Sequence, residues 1–194
     1  MPVESVPYVS RGGIKLAGAL DAFKLSVTGL ICGDFGSHVG GFVDCLLRRG
    51  ASRVYSVDTS YGTLAWTLRK DERVVVIERT NAMHVRLAEP VDLLTIDVGW
   101  TKQHRILPNA RDQLRPGGRV VTLIKPHYEA PKNLLCGGVL PDEHVGGVLE
   151  EVCVAITSLG YCVLDRCPSP IRGHGGNEEY FALLSVDEDA DGSH

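Results

Sequence analysis

The chain has 194 residues, of which 44% are hydrophobic and 23% are charged, and its formal net charge is −4. This length fits one domain with a core of ordinary size, and the apolar fraction excludes disorder over most of the chain. Because the net charge is negative, no global basic field attracts nucleic acid. Any contact with RNA must therefore come from a local patch or from a partner.

The sequence also indicates the cellular compartment and whether a metal site is expected. No N-terminal stretch has the charged-then-apolar form of a secretory signal, and no apolar run reaches the roughly 20 residues that span a bilayer. The six cysteines form no Cys-x-x-Cys pair and have no histidines at zinc spacing, so we expect buried free thiols and no metal site. The sequence predicts a cytoplasmic protein without a membrane span and makes no prediction of its oligomeric state.

Apolar clusters alternate with glycine and proline breakers, which predicts strands and helices in turn. The first element is a helix that carries Lys15. There follow a strand at 30–32, a helix at 41–49, a strand at 53–58, a helix at 64–69, strands at 74–77 and 91–97, a helix at 103–114, a strand at 119–125, an irregular stretch at 126–141, a helix at 143–159 and strands at 161–166 and 179–185. The acidic tail, 187–194, is expected to be disordered.

Charged residues recur where the predicted strands end. Alternating strands and helices, with several strands continuously apolar, predict an α/β fold whose mostly parallel sheet is covered on both faces. Ligands of such sheets bind at the carboxyl ends of the strands. The residues at or just past these ends are Asp34, Asp58, Glu78, Asp97 and Lys125. We therefore expect all five to face one crevice.

A glycine-rich segment, 33–42, follows the first predicted strand and places small residues where the backbone must turn toward a ligand. Its pattern, Asp-x-Gly-x-x-x-Gly-Gly-Phe, differs from the dinucleotide Gly-x-Gly-x-x-Gly, which disfavours a pyrophosphate cradle. The carboxylate of Asp34 is suited to bind the ammonium group of an amino-acid-like ligand, directly or through water. Asp58 stands where a carboxylate binds ribose hydroxyls in nucleotide folds, and residues 78–81 are placed to flank an adenine.

A simpler interpretation is that Gly36, Gly40 and Gly41 only form a strand-to-helix turn, with the neighbouring acids solvated. The glycines by themselves do not separate these two interpretations. The acids after the second and third strands favour the binding of an adenosyl ligand.

Several motifs in one order carry a family resemblance. They are Tyr8–Leu16, the glycine-rich segment, Val57–Trp66, Glu78–Asn81, Thr95–Val98, Leu123–Pro126 and Gly176–Tyr180. With these motifs the chain resembles the TlyA-type branch of the FtsJ-like RNA ribose methyltransferases, whose TlyA members have also been called hemolysins. The resemblance runs from Tyr8 to Leu184, almost the whole chain.

The resemblance implies a Rossmann-like fold with a seven-stranded mixed sheet, use of S-adenosylmethionine with S-adenosylhomocysteine as product, and 2′-O-methylation of ribosomal RNA. It divides the chain into an N-terminal segment with the Lys15 helix (1–24), a methyltransferase domain (25–186) and the tail (187–194). The implied cofactor-binding residues are Asp34, Gly36, Ser37, His38, Gly40, Gly41, Phe42, Asp58, Thr59, Glu78, Arg79, Thr80, Asn81 and Asp97.

The family's catalytic tetrad corresponds to Lys15, Asp97, Lys125 and Glu179 in this sequence. In such enzymes the second lysine acts on the ribose 2′-hydroxyl. The cation of Lys15 and the methyl sulfonium would favour a neutral Lys125 amine, and the two acids would orient the ammonium groups. The lysines would also stabilise negative charge that develops on the oxygen.

The chain departs from the family pattern in three places. Seven residues precede Tyr8, so we expect a methyltransferase domain without the small RNA-binding domain that TlyA-type proteins carry ahead of it. His38 and Gly99-Trp100 stand where relatives have other residues, and Trp100 suits either stacking on a base or core packing.

Two rival functions stay open at this point. One is O-methylation of a small molecule, and the other is a non-catalytic RNA-binding or hemolysin-like role. The candidates for a local phosphate-binding surface are Arg11, Lys15, Arg48, Arg49, Arg53, Arg172 and His174, although a solvated charged face is the ordinary expectation for the arginines.

Overall fold

Seven strands form one sheet in this computed structural model, which describes residues 7–187. The strands are β1 (Ile31–Phe35), β2 (Arg53–Val57), β3 (Val74–Ile77), β4 (Val91–Ile96), β5 (Leu114–Ile124), β6 (Tyr161–Pro168) and β7 (Tyr180–Val186). The helices are α1 (Gly12–Ala22), α2 (Gly41–Arg48), α3 (Trp66–Arg69), α4 (Gln103–Arg111), α5 (Pro126–Glu129) and α6 (Asp142–Ser158), with 3₁₀ turns at Lys132–Leu134 and His174–Gly176.

The strand order is β3-β2-β1-β4-β5-β7-β6. Strands β1 to β5 pair in parallel, whereas β7 is antiparallel to both β5 and β6. The predicted seven-stranded, mostly parallel sheet is therefore confirmed. The direction of winding reverses between β1 and β4, and the ligand crevice of an open α/β sheet forms at such a switch point.

Two buried clusters cover the two faces of the sheet. Leu94 and Val120 belong to one cluster, together with side chains of α4 and α6. Their neighbours Leu93 and Val121 belong to the other, together with side chains of α1 and α2. Because successive strand residues point to opposite faces, the continuously apolar strands supply both clusters. The prediction that helices cover both faces is confirmed.

Some element boundaries differ from the sequence prediction. β5 begins at Leu114 rather than at 119, because Leu114 pairs with Val91 across a register shift. The stretch predicted to be irregular opens with α5, where Pro126 occupies the first turn with its preset backbone angle. Most of the acidic tail lies outside the described residues.

The cysteines and the helices bear on two further expectations. Cys32, Cys45 and Cys153 are buried free thiols as expected, but Cys136 and Cys162 are exposed. Cys162 is on the edge strand β6, where one face of the strand meets solvent. Within residues 7–187, no helix has the length and apolar character needed to cross a membrane.

Candidate active site

Two adjoining cavities open at the carboxyl edge of the sheet. The first, of about 400 Å³, lies beyond the ends of β1, β2 and β4. The second, of about 420 Å³, lies between the first turns of α1 and α2. Both are lined by Gly36, His38 and Asp97, so these residues form a shared wall.

The glycine-rich segment builds that wall because it approaches other backbone closely. Gly36 has φ of 92°, and a Cβ there would lie 2.3 Å from the carbonyl oxygen of Asp97. A Cβ at Gly41 would lie 2.8 Å from the backbone nitrogen of Gly13, in the first turn of α1. Each contact is too short for any side chain, so glycine at both positions lets the loop join β4 and α1 around the cavities.

Asp34 is fully buried within β1 and lines neither cavity. One carboxylate oxygen accepts a hydrogen bond from Thr95 Oγ1 at 2.7 Å, and the other, Oδ2, has no partner among the described residues. Burial is the main cause that raises the pKa of Asp34 to about 7. Asp34 was expected to face the crevice, but it does not line the cavity surface, because β1 extends one position beyond it, through Phe35, before the loop turns at Gly36.

Asp58 lies at the end of β2 and lines the first cavity, as expected. Its carboxylate accepts the backbone N–H of His38 at 2.8 Å and that of Ser60 at 2.7 Å. Burial acts to raise the pKa of Asp58, but these hydrogen bonds outweigh it and the pKa is lowered. Asp58 is therefore an ionised acceptor at neutral pH.

Residues 78–81, which follow the third strand, were predicted to flank an adenine, but only some of them line the first cavity. Thr80 and Asn81 line it, together with Thr59. Glu78 instead pairs with Arg69 and accepts the backbone N–H of Gly62 at 2.9 Å, away from both cavities.

Arg79 also points elsewhere, since its guanidinium lies 4.1 Å from the centroid of the Tyr61 ring. Sequence reasoning missed the apolar lining of the first cavity, which includes Ala82, Met83, Val98 and Ile106. Ala82 and Met83 directly follow the segment predicted to flank an adenine, and this position in the sequence could have identified them as lining residues.

The four predicted catalytic residues form two ion pairs beside the shared wall. Lys125 Nζ lies 2.6 Å from an Asp97 carboxylate oxygen and 3.3 Å from the carbonyl oxygen of Val98. Lys15 pairs with Glu179, and both of these side chains are almost buried. Asp97 and Lys125 line the first cavity, and Asp97 and Lys15 line the second. The structure thus brings together residues separated by as many as 164 positions.

Two adjacent glutamates, Glu178 and Glu179, were candidates for the fourth catalytic position, and their contacts distinguish them. Glu179 faces Lys15, whereas Glu178 bonds Arg172 at 2.9 Å and accepts the Tyr180 hydroxyl at 2.9 Å. A Cβ at Gly173 would lie 2.2 Å from Glu179 Oε1, so a glycine is needed where the chain passes over this carboxylate. The contacts agree with the choice of Glu179.

His127 is a nearby buried group that the sequence analysis did not single out. Its Nδ1 has no hydrogen-bond partner in the described part of the chain. Burial lowers the pKa of His127, and the positive charges of Lys125 and Lys15 lower it further. The imidazole is therefore neutral at physiological pH and adds no positive charge beside the lysines.

Trp100 is 84% exposed, so the interpretation as a core residue is wrong. Its ring stacks on Tyr128, with centroids 4.6 Å apart and planes 27° apart. The Tyr128 ring centroid is in turn 5.7 Å from Lys125 Nζ. An aromatic surface therefore stands beside the Asp97–Lys125 pair, and Tyr128, which sequence reasoning missed, supports it.

The fold and the crevice together define a class of protein. Strands β1 to β5 pair in parallel, a glycine-rich turn follows β1, and an ionised carboxylate stands at the end of β2. This is the arrangement of Rossmann-like nucleotide-binding proteins.

Within this class, a family profile described as FtsJ-like methyltransferase matches residues 8–185. The chain belongs to the FtsJ-like methyltransferase family, which confirms the resemblance read from its motifs.

Named relatives and a solved structure agree with this assignment. YqxC of Bacillus subtilis, a candidate rRNA methyltransferase, is 43% identical over 186 residues, which cover 91% of this chain and 65% of YqxC. TlyA of Mycobacterium tuberculosis H37Rv, a 16S/23S rRNA (cytidine-2′-O)-methyltransferase, is 38% identical over 187 residues, which cover 94% of this chain and 70% of TlyA. A hemolysin candidate from Streptococcus thermophilus superposes with a TM-score of 0.91 at 37% identity, covering 95% of this chain and 69% of that one.

Proposed function

We propose that this protein transfers the methyl group of S-adenosylmethionine to a ribose 2′-hydroxyl of ribosomal RNA and releases S-adenosylhomocysteine. The observation that carries the proposal is the Asp97–Lys125 pair, 2.6 Å apart, in which Asp97 lines both cavities and Lys125 lines the first. One cavity can hold a methyl donor while the other admits the acceptor. The relative TlyA, named for cytidine 2′-O-methylation of rRNA, supports RNA as the acceptor.

Features of the first cavity fit the cofactor. Asp58 presents a carboxylate suited to ribose hydroxyls. Met83 and Ile106 offer an apolar surface suited to an adenine. Gly36 lets the loop turn against the backbone of Asp97, so both residues line this cavity.

Asp34 does not line the proposed cofactor cavity, but it stands two residues before Gly36, which does. Its Oδ2 is a buried acceptor without a partner among the described residues, and such a group is costly unless a ligand or water satisfies it. The ammonium group of the methionine moiety, bonded directly or through water, has the charge to do so.

The proposed chemistry uses both ion pairs. When bound, the cofactor supplies a methyl group whose bond to sulfur breaks as the hydroxyl oxygen takes it. Lys125 is placed to take the hydroxyl proton, and Asp97 orients Lys125. Lys15, held by Glu179, places a fixed cation where negative charge develops on the oxygen. Trp100 offers an exposed ring on which the base of the target nucleotide can stack.

Transfer of tritium from labelled cofactor tests this function. Purified ribosomal subunits and a pool of small metabolites serve as separate acceptors, and mass mapping then locates the modified nucleotide. We expect label in ribosomal RNA at a 2′-O-methylated ribose. Label confined to the metabolites would replace RNA with a small hydroxyl compound as the substrate, and label in neither would refute methyl transfer to both.

A further inference from the structure

The basic residues that the sequence suggested for a phosphate-binding surface differ in their position relative to the two cavities. Three of these arginines are held by carboxylates: Arg48 by Asp44 at 2.7 Å, Arg49 by Asp21 at 2.6 Å and Arg53 by Glu89 at 2.7 Å. None of the three lines either cavity of the candidate site. Their charges are therefore neutralised locally and away from the reaction.

Arg11 and Arg172, in contrast, line the second cavity together with Lys15. Both are exposed, and a guanidinium N–H of Arg11 donates to the carbonyl oxygen of Arg172 at 3.1 Å. Arg11 has no carboxylate partner among the described residues, so most of its donors stay available. Arg172 also pairs with carboxylates, Glu178 at 2.9 Å and Asp142 at 4.0 Å, and donates to the carbonyl oxygen of Gly176 at 2.8 Å, so its position in the cavity lining is what distinguishes it from the three arginines above.

The chain segment that carries Arg172 is held in place by contacts with the proposed catalytic residues. The neighbouring Gly173 passes directly over the Glu179 carboxylate, and its N–H donates to the carbonyl oxygen of Asn177 at 3.0 Å. Asn177 is buried, and its Oδ1 accepts the N–H of Leu140 at 3.0 Å. The segment around Arg172 therefore has a defined position relative to the Lys15–Glu179 pair.

We propose that Arg11 and Arg172 bind the phosphate groups that flank the target ribose, and this inference rests on the proposed function. In RNA the 2′-hydroxyl lies next to the 3′-phosphodiester of the same ribose. A hydroxyl at the Asp97–Lys125 pair would therefore place its phosphodiester toward the cavity with the two guanidinium groups. Planar guanidinium donors match phosphate oxygens. The arginines would thus select a polynucleotide over a free small hydroxyl compound.

The experiment compares the salt dependence of RNA binding among matched variants. Arg11→Gln and Arg172→Gln each remove one proposed phosphate contact, while Arg53→Gln removes the same charge from a residue outside both cavities. The probe is a short single-stranded RNA of mixed sequence, bound at several salt concentrations with S-adenosylhomocysteine present. Each lost phosphate contact should lower the log–log salt slope by about 0.7 and weaken binding about fourfold near physiological salt. Arg53→Gln should match the wild type, and Arg11→Lys should restore the slope.

The outcomes separate this inference from the proposed function. Unchanged salt slopes in Arg11→Gln and Arg172→Gln would overturn the phosphate contacts, even if the wild type methylates RNA. If Arg11→Gln instead weakens S-adenosylhomocysteine binding without changing the slope, Arg11 binds the cofactor carboxylate and the inference is wrong. A wild-type protein that labels no RNA would refute the proposed function itself. Thermal melting of each variant verifies that it is folded.

Discussion

Replacing Asp34 with Asn separates a role in ligand binding from a role in stability. Asn has nearly the same shape and keeps an oxygen to accept the Thr95 hydroxyl, which now bonds Asp34 at 2.7 Å. What it removes is a charge that is fully buried and whose Oδ2 has no partner in the described part of the chain.

The size and sign of the effect follow from the pKa of Asp34. Burial raises this pKa from 3.8 to about 7, so the folded protein keeps a proton that the unfolded chain loses between these values. The stability contributed by protonated Asp34 is therefore complete below pH 3.8 and is lost as the pH rises through 7. At about 1.4 kcal/mol per pKa unit, ionisation inside the folded protein costs at most about 4 kcal/mol above pH 7. The Asn variant avoids this cost.

We therefore expect Asp34→Asn to be more stable than the wild type at pH 8 and no more stable at pH 4. Urea unfolding at the two pH values measures this difference. Calorimetry should show the opposite effect on S-adenosylhomocysteine, whose ammonium group loses a charged partner worth about 1.5–3 kcal/mol, or about 10- to 150-fold in affinity. In the wild type, this affinity should rise with pH through 7, whereas in the Asn variant it should be flat.

Asp92→Asn is the matched control, because Asp92 is also a strand carboxylate but both of its oxygens have partners: one pairs with Arg115 at 2.9 Å and the other accepts the backbone N–H of Ile31 at 2.8 Å. It should lose stability and keep its affinity for S-adenosylhomocysteine. The reasoning is refuted if Asp34→Asn is less stable than the wild type at pH 8, or if it binds S-adenosylhomocysteine as tightly as the wild type does.

Further substitutions test the proposed catalytic groups. Lys125→Ala should abolish methyl transfer and leave S-adenosylhomocysteine affinity within about twofold, and equal turnover would remove Lys125 from the mechanism. Lys15→Ala leaves Glu179 buried without its cation and should cost about 3–5 kcal/mol in urea unfolding, whereas Lys15→Met with Glu179→Gln should recover stability but not activity. Trp100→Ala should raise the KM for RNA more than it lowers kcat, since base stacking contributes about 1–3 kcal/mol, and an unchanged KM would exclude stacking.

The sequence located most of the crevice because strand ends are local features. Asp58 and Asp97 follow runs of β-branched and apolar residues, and both line a cavity. Asp34 was misplaced for a physical reason. Gly33 and Asp34 suggested that the strand had ended, but β1 continues through them, since Asp34 pairs with Ser56 of β2 and Thr95 of β4. Pairing with two neighbouring strands thus extended β1 beyond its local signal.

Other parts of the site depend on side-chain directions that no local pattern encodes. Glu78 and Arg79 directly precede Thr80, yet they turn toward Arg69 and Tyr61 rather than toward the cavity. Arg79 has a positive φ of 52°, which redirects the chain at this point. The sequence could place the segment at the site but could not tell which of its residues face the ligand.

The two ion pairs differ in a way that stability does not explain. A buried pair adds little stability over an apolar pair of similar size, yet Lys15 and Glu179 are exposed by only 12% and 4%. Because Lys15 is buried and paired, it supplies a fixed positive charge in the lining of the second cavity. The exposed fraction of Lys125 is similar, at 15%, but its partner Asp97 is 24% exposed and lines both cavities. The proposed mechanism requires this difference between the two carboxylates, because Asp97 must meet both ligands while Glu179 only holds Lys15.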